Sequence, residues 1–145
     1  MAKKIIILNG PNLNLLGTRQ PDVYGTLTLD DIELQCAERA NELGLQIEFR
    51  QSNHEGELIS WIQQCHGEGF SGLIINPAAY SHTSIGIRDA LSAMDMPKVE
   101  VHISNIFARE SFRHHSHISP VASGIICGFG PAGYLLALNA IIDLV

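Results

Sequence analysis

Short apolar runs alternate with amphipathic stretches along the whole chain. The run at residues 5–8 is continuously apolar and is stopped by Asn9, Gly10 and Pro11, a pattern typical of a strand buried on both faces. Similar short runs predict four further strands, at residues 46–50, 73–75, 99–103 and 123–127.

The segments between these strands carry apolar residues at helical spacing. Thr28 is a suitable N-cap for the first helix, and Gly44 would end it. Asn53 is predicted to cap a second helix that ends near residues 67–69, a third spans 84–94, and a last begins near Pro131. The predicted buried positions, in helix order, are Ile32, Cys36, Ala40 and Leu43; Leu58, Ile59, Ile62 and Cys65; Ile87, Ala90, Leu91 and Met94; and Leu135, Leu138, Ile142 and Val145.

Strand and helix therefore alternate about five times, with no internal repeat. Right-handed crossovers turn such an alternation into a parallel sheet with helices on both faces. Five units are too few for a closed eight-stranded barrel. We therefore expect one domain over residues 1–145, with a flavodoxin-like α/β fold: a three-layer sandwich around a five-stranded parallel sheet.

Composition narrows the class of protein. The 145 residues are 46% hydrophobic and 17% charged, with a formal net charge of −6, which argues against nucleic acid or an anionic membrane as partner. The first apolar run is too short for a signal peptide, and no stretch is long enough for a membrane span. The chain has three cysteines, Cys36, Cys65 and Cys127, and all lie in core-like stretches. Because an odd number cannot all pair within one chain, we expect reduced thiols and a cytoplasmic location.

Polar residues concentrate where the predicted strands end, the edge at which open α/β sheets bind ligands. Each alone is more simply explained as a turn or packing residue, but their convergence on one edge favours a site. These residues are Asn9, Asn12 and Asn14, with Arg19 and Tyr24 beyond; Asn76, Tyr80, Ser81 and His82; and His102, Ser104 and Asn105, with Arg109 and Arg113 beyond.

Some chemistries are disfavoured by what the pattern lacks. The three lysines, Lys3, Lys4 and Lys98, lie at or before strand starts, so a Schiff base is not expected. No acidic pair follows the first strand, which excludes a receiver-type site for Mg²⁺ and phospho-aspartate. No serine or cysteine lies on a nucleophile elbow of the kind that hydrolases use.

Two motifs could mislead. Residues 128–133 match G-x-G-x-x-G, but no further strand with an acidic residue follows, and Pro131 lacks an N–H for phosphate. Tight strand-to-helix packing is the better interpretation.

His114, His115 and His117 have neither cysteine nor carboxylate at ligand spacing, so a solvated or subunit-contacting loop is favoured over a metal site.

Four segments together resemble the type II 3-dehydroquinate dehydratases. They are residues 9–17 with Arg19 and Tyr24, residues 51–56, residues 76–84, and residues 100–105 with 109–113. The likeness covers essentially the whole chain, in order and with similar spacing. Gln20 departs from it, because an acidic residue is more usual there, and the change could alter the mobility of the adjoining loop.

The resemblance implies reversible dehydration of 3-dehydroquinate to 3-dehydroshikimate through an enolate, in aromatic biosynthesis, without metal or cofactor. It implies trimers that assemble into dodecamers, and a lid over residues 16–25. The implied catalytic roles are Tyr24 as base, Arg19 as stabiliser of the tyrosinate, Asn12 as holder of a water on the enolate, His102 as acid and Glu100 as its orienting partner. The implied substrate-binding residues are Asn76, His82, Arg113, the backbone around Ile103 and Ser104, and Asp89 from a neighbouring subunit.

Elementary chemistry agrees with two of these roles. A phenol, with a pKa of about 10, is a useful base only beside a cation, and Arg19 lies on the same loop as Tyr24. Glu100 and His102 are two apart on a strand, so they share a face on which a carboxylate can fix an imidazole tautomer. Two alternatives stay open: Glu100 as an edge ion pair, and His82 as a helix cap.

Two other classes of protein remain as alternatives. A flavodoxin-like module that binds FMN would need a hydroxyl- and glycine-rich loop after the first strand, where Pro11, Asn12 and Leu13 stand instead. A purely structural scaffold leaves the clustered polar residues unexplained.

Overall fold

A five-stranded, entirely parallel sheet forms the centre of the protein. The structure is a computed structural model that describes residues 2–18 and 20–145, without the side chains of Val23 and Tyr24. The strands are β1 (Lys4–Asn9), β2 (Gln46–Gln51), β3 (Gly72–Asn76), β4 (Lys98–His102) and β5 (Gly124–Cys127). Their order is β2-β1-β3-β4-β5, and every pair is parallel. The predicted sheet is confirmed.

Helices cover both faces of the sheet. They are α1 (Pro21–Tyr24), α2 (Leu29–Glu42), α3 (Glu55–Glu68), α4 (Ile85–Ser92) and α5 (Ala132–Ile141). Alternate residues of β1 enter separate cores: Ile5 and Ile7 pack with α2 and α5, while Ile6 and Leu8 pack with α3 and α4. The three-layer, flavodoxin-like arrangement is therefore confirmed. None of the described helices is both long and apolar enough to cross a membrane.

The ends of the helices test the predicted caps. Thr28 begins α2 in a capping box with Asp31, and the Ser84 hydroxyl caps α4. The predicted cap at Asn53 is wrong, because His54 occupies the N-cap of α3. The Asn53 carboxamide oxygen instead accepts the backbone N–H of Asn12 at 2.9 Å, which ties the loop after β2 to the loop after β1.

The buried face of α5 also differs from the prediction. Tyr134, Ala137, Leu138 and Ile141 are fully buried, whereas Leu135 and Ile142 are only partly so, and the helix ends before Val145. Nearly every position of this helix is apolar, so periodicity alone cannot select one stripe.

Tight packing of α5 on the sheet explains the glycine-rich segment before it. A Cβ atom on Gly133 would lie 3.3 Å from Val101 Cγ1, so the absent side chain lets helix and strand approach closely. The Gly130 N–H donates to the Ile103 carbonyl at 2.9 Å, which anchors the turn to the end of β4. The packing interpretation of residues 128–133 is confirmed.

The ends of β1 and β3 approach each other closely at Gly10. Its N–H donates to the Asn76 carbonyl at 2.8 Å, and a Cβ atom there would lie 2.5 Å from the Pro77 carbonyl oxygen. Ala78, the residue after Pro77, has a φ of +52°, a conformation that non-glycine residues seldom adopt. This contact sets the spacing between the two loops that follow the central strands.

We expect Gly10→Ala to lower the free energy of unfolding by about 2 kcal/mol, because backbone atoms must move to admit the methyl group. Denaturant unfolding measures the change. Gly67→Ala is the matched control: Gly67 lies within α3, and a methyl group added there would meet nothing within 4 Å. Alanine there should stabilise the protein by about 0.5–1 kcal/mol. Equal stability of the two variants would contradict the close contact.

Candidate active site

A cleft of about 580 Å³, part of it open to solvent, lies at the carboxyl ends of the central strands. It is at the edge where the strand order changes direction on either side of β1, as expected for an open α/β sheet. Seven of the predicted site residues line it: Asn12, Asn76, His82, His102, Ile103, Ser104 and Arg113. Arg109, which the sequence placed at this edge without a specific role, lines it as well.

A buried carboxylate lies behind the imidazole of His102. Both residues belong to β4, and the His102 Nε2 atom is 2.5 Å from Glu100 Oε2. The Glu100 side chain is fully buried at the centre of the sheet. The edge ion pair considered from sequence is therefore wrong. Because Nε2 is engaged by Glu100, Nδ1 is the nitrogen of His102 left for a ligand.

Two serines complete the surroundings of Glu100. The Ser116 hydroxyl donates to Oε2 at 2.8 Å, and the Ser119 hydroxyl donates to Oε1 at 2.5 Å. Burial would raise the pKa of Glu100, but the hydrogen bond and charge of His102 and the two serine hydrogen bonds outweigh it and hold that pKa below its usual value. Glu100 is therefore an ionised carboxylate at neutral pH.

In His82 the protein engages the other ring nitrogen, Nδ1, and not Nε2 as in His102. Its Nδ1 lies 2.8 Å from the His115 carbonyl oxygen, so Nδ1 carries the proton and Nε2 is left as an acceptor. Burial lowers the pKa of His82 despite this hydrogen bond, which keeps the ring neutral at neutral pH. The ring lies nearly parallel to that of His102, with centroids 6.4 Å apart. Ser84 caps α4, so the helix-cap alternative for His82 is wrong.

Asn76 is held by a residue that sequence reasoning did not select. Its Nδ2 donates to the Tyr134 hydroxyl at 2.9 Å, and its Oδ1 accepts the Ala78 N–H at 3.1 Å. The Tyr134 hydroxyl in turn donates to Asn9 Oδ1 at 2.6 Å. One hydrogen of the Asn76 amide remains for a ligand. A lone tyrosine in an apolar helix is the signal that could have revealed this role.

Cationic groups make one side of the cleft suitable for an anion. Arg113 is oriented by Glu110, whose carboxylate accepts from Nε at 2.9 Å. An Arg109 guanidinium N–H donates to the Ser104 hydroxyl at 3.3 Å. Two guanidinium groups in a partly enclosed cleft favour a small carboxylate or phosphate, even though the whole chain is acidic.

The remaining predicted residues differ in what the structure shows of them. Asn12 lies at the mouth of the cleft in a left-handed conformation with a φ of +69°. Asp89 is exposed on α4 and is not among the described residues that line the cleft. Tyr24 is the last residue of α1, inside the predicted lid, but its side chain lies outside the described residues. The prediction for Arg19 also falls outside the described residues.

The histidine-rich segment is partly structural. Within the described part of the chain, no three candidate metal-ligating side chains lie together. Ser116 lies within the segment predicted to be a solvated or subunit-contacting loop, and it is not solvated: it is buried, and its hydroxyl bonds to Glu100. His114 and His115 keep exposed side chains. Ser116 and Ser119 could not be identified from sequence, because they lie 16 and 19 residues after Glu100 and only the folding of the chain brings them next to it.

The fold and the cleft together define an α/β protein with a small-molecule site at the carboxyl edge of its sheet. A family model described as dehydroquinase class II matches residues 3–142. Proteins named 3-dehydroquinate dehydratase from Brucella canis and Brucella suis are 62% identical over 141 residues, which cover 97% of this chain and 89% of each relative.

Solved structures agree with the sequence relatives. A type II dehydroquinase from Propionibacterium acnes superposes with a TM-score of 0.94 at 48% identity, covering 99% of this chain and 98% of that one. Another, from Butyrivibrio crossotus, has a TM-score of 0.95 at 42% identity and covers 97% of each chain. The chain belongs to the class II dehydroquinase family.

We expect Glu100→Gln to lower the free energy of unfolding by about 2 kcal/mol or more at neutral pH, because an amide nitrogen cannot accept from the donors around it. The folded-state pKa of Glu100 is depressed, so its stabilisation is present above the unfolded value of 4.5 and is lost as the pH falls further. The difference between wild type and variant should therefore shrink on acidification. Denaturant unfolding at a series of pH values measures it.

Glu38→Gln is the control, because Glu38 is exposed on α2. The free energy of unfolding of Glu38→Gln should differ little from that of the wild type at every pH. Because the pKa of His82 is lowered in the folded protein, acidification also lowers the free energy of unfolding through His82. This loss occurs in the wild type and in both variants, so it cancels in the comparison. A Glu100→Gln difference that stayed constant with pH would refute an ionised, stabilised Glu100.

Proposed function

We propose that this protein catalyses the reversible elimination of water from 3-dehydroquinate to give 3-dehydroshikimate, a hydro-lyase reaction of the shikimate pathway that proceeds through an enolate. The observation that carries the proposal is the buried Glu100–His102 pair facing a cationic cleft in a chain of the class II dehydroquinase family. The curated relatives named 3-dehydroquinate dehydratase support it. A cytoplasmic location is part of the same proposal.

The elimination divides between a base and an acid. Tyr24, as the phenolate, takes the proton α to the ketone, and the electron pair left on carbon becomes the enolate. Arg19 stabilises the phenolate, since a phenol is ionised at neutral pH only beside a cation. A water held by Asn12 stabilises the enolate oxygen.

The departing hydroxyl takes the second proton. His102, doubly protonated, gives its Nδ1 proton to that oxygen, so the carbon–oxygen bond breaks, water leaves, and the enolate electrons form the new double bond. Glu100 holds Nε2 on the far side of the ring at 2.5 Å, which directs Nδ1 toward the cleft. The carboxylate also offsets the charge of the imidazolium before the proton is transferred.

The substrate presents hydroxyls and a carboxylate, and the cleft has groups for both. The neutral His82 offers Nε2 to a substrate hydroxyl, and Asn76 offers its remaining amide hydrogen. Arg113 and the backbone around Ile103 and Ser104 supply positive charge and N–H donors. These contacts fix the ring so that the α proton and the hydroxyl face opposite catalytic groups.

Assembly completes the proposed site. Asp89 is exposed on α4, where it is available to a neighbouring chain. We place it in the site of an adjacent subunit within a trimer, with trimers assembling into a dodecamer. Residues 16–25, which include α1, form the lid that brings Tyr24 and Arg19 over the bound substrate.

Tyr24→Phe and Arg19→Ala should each lower turnover by about a hundredfold or more, because the base is removed or loses its stabilising cation. The assay follows the near-ultraviolet absorbance of the product enone after 3-dehydroquinate is added. Circular dichroism should be unchanged in both variants. Turnover by the wild type should persist after treatment with chelator and with borohydride.

Wild-type protein that is folded yet gives no absorbance change would exclude the proposed reaction. Near-normal turnover in either variant would remove that residue from the mechanism. Phe107→Ala is a suitable surface control, since Phe107 is exposed and is not among the described cleft-lining residues.

The neighbouring-subunit role of Asp89 can be tested by complementation. Asp89→Ala and Tyr24→Phe should each be nearly inactive alone, and co-expression of the two chains should restore activity. Mixed assemblies contain some sites with an intact Tyr24 from one chain and an intact Asp89 from the next. If the co-expressed chains stay inactive although mass measurement shows mixed assemblies, Asp89 does not act across subunits.

A further inference from the structure

One short segment, residues 115–119, supports both imidazoles in the cleft, one directly and the other through Glu100. The His115 carbonyl fixes Nδ1 of His82. Ser116 and Ser119 bond to the two oxygens of Glu100, which in turn binds His102. The segment is anchored by the His117 N–H, which donates to the Ser81 carbonyl at 2.7 Å. No residue of the segment is among the described residues that line the cleft.

The direction of the Ser116 hydroxyl hydrogen follows from its other contacts. Its oxygen accepts the backbone N–H groups of Ile118 at 3.1 Å and Ser119 at 3.2 Å. A hydroxyl has two lone pairs and one hydrogen, so with both lone pairs used the hydrogen must point to Glu100 Oε2. The backbone turn thus forces Ser116 to act as a donor.

Glu100 Oε2 therefore accepts from Ser116 Oγ–H and lies 2.5 Å from His102 Nε2. A hydrogen bond donated to a carboxylate stabilises its charged form, so the proton between Glu100 and His102 is favoured on Nε2 rather than on Oε2. Ser119 occupies the second oxygen at 2.5 Å. The three contacts favour the ionised carboxylate and leave the Nε2 proton on His102.

We propose that Ser116 and Ser119 are positioning residues that keep Glu100 ionised and so hold His102 with its proton on Nε2 and Nδ1 directed at the leaving group. Their catalytic consequence rests on the proposed dehydratase function, whereas the protonation state of the pair does not. His82, Arg109 and Arg113 also line the cleft around His102, and the serines act from the opposite, buried side of Glu100.

Removing a serine hydroxyl should change the acid without changing substrate binding. The carboxylate loses a donor that stabilises its negative charge and so attracts the shared proton more strongly. The coupled pair then releases its proton at higher pH, and the imidazole is held less firmly. Because the serines do not reach the cleft, the effect should fall on kcat and spare KM.

The experiment compares kcat and KM over a range of pH for Ser116→Ala and Ser119→Ala. We expect kcat to fall about tenfold through looser positioning, with KM within about twofold. The basic limb of the kcat profile should move upward by about half a pH unit or more. Ser116→Thr and Ser119→Thr keep the hydroxyl and should restore most of kcat and the wild-type limb.

Ser123→Ala is the matched control. The Ser123 hydroxyl accepts the N–H of Lys98 at 3.0 Å, at the opposite end of the same strand, β4. It should leave both kcat and the pH profile unchanged. If Ser116→Ala fails to fold, Ser119→Ala carries the test alone, since Ser119 is only partly buried and its hydroxyl bonds to Glu100.

Nitrogen-15 NMR of the imidazoles, without substrate, separates this inference from the proposed function. Wild-type His102 should carry its proton on Nε2 when neutral, and the alanine variants should shift the midpoint of its titration upward. A neutral His102 protonated on Nδ1, or midpoints and kcat values equal to wild type, would overturn the inference. So would a loss of kcat that threonine does not restore. Shifted midpoints in a protein that never converts 3-dehydroquinate would refute only the proposed function.

Discussion

A buried negative charge, the carboxylate of Glu100, constrains the path of the chain around the cleft. Glu100 lies on the interior strand β4 with no solvent contact, and an isolated carboxylate in such a place would be strongly destabilising. Three donors offset that cost: the imidazole of His102 and the hydroxyls of Ser116 and Ser119. The path of the chain after β4 must therefore return to place the two serine hydroxyls against this carboxylate.

Much of the fold could be predicted because each element was specified locally. The apolar runs fixed β1 and its neighbours, and the alternation with helices fixed a parallel sheet. Local rules failed where distant contacts decide. Asn53 would serve well as a helix cap, yet it bonds to the backbone of Asn12, far away in sequence. The buried stripe of α5 depends on the fit of Gly133 against Val101, which periodicity in an apolar helix does not report.

The candidate site was predictable to the extent that its residues follow strand ends. Glu100 and His102 were paired correctly because a strand places alternate residues on one face. The supports beneath them were not, since Ser116 lies in an irregular segment with no period to interpret. The resemblance to a family named the residues on the lid, and the roles of Tyr24 and Arg19 remain predictions because those side chains lie outside the described residues.

The buried phenol of Tyr134 has a consequence for how this family can change through descent. Its hydroxyl joins Asn9 at the end of β1 to Asn76 at the end of β3, so three elements share one hydrogen-bonded unit. Losing the hydroxyl alone would leave the Asn9 Oδ1 atom and one N–H of the Asn76 amide without their buried partner, and losing either amide would cost the phenol one of its two hydrogen bonds. The three positions therefore form an epistatic unit. A substitution at one of the three positions is therefore expected to cost less when the other two change with it.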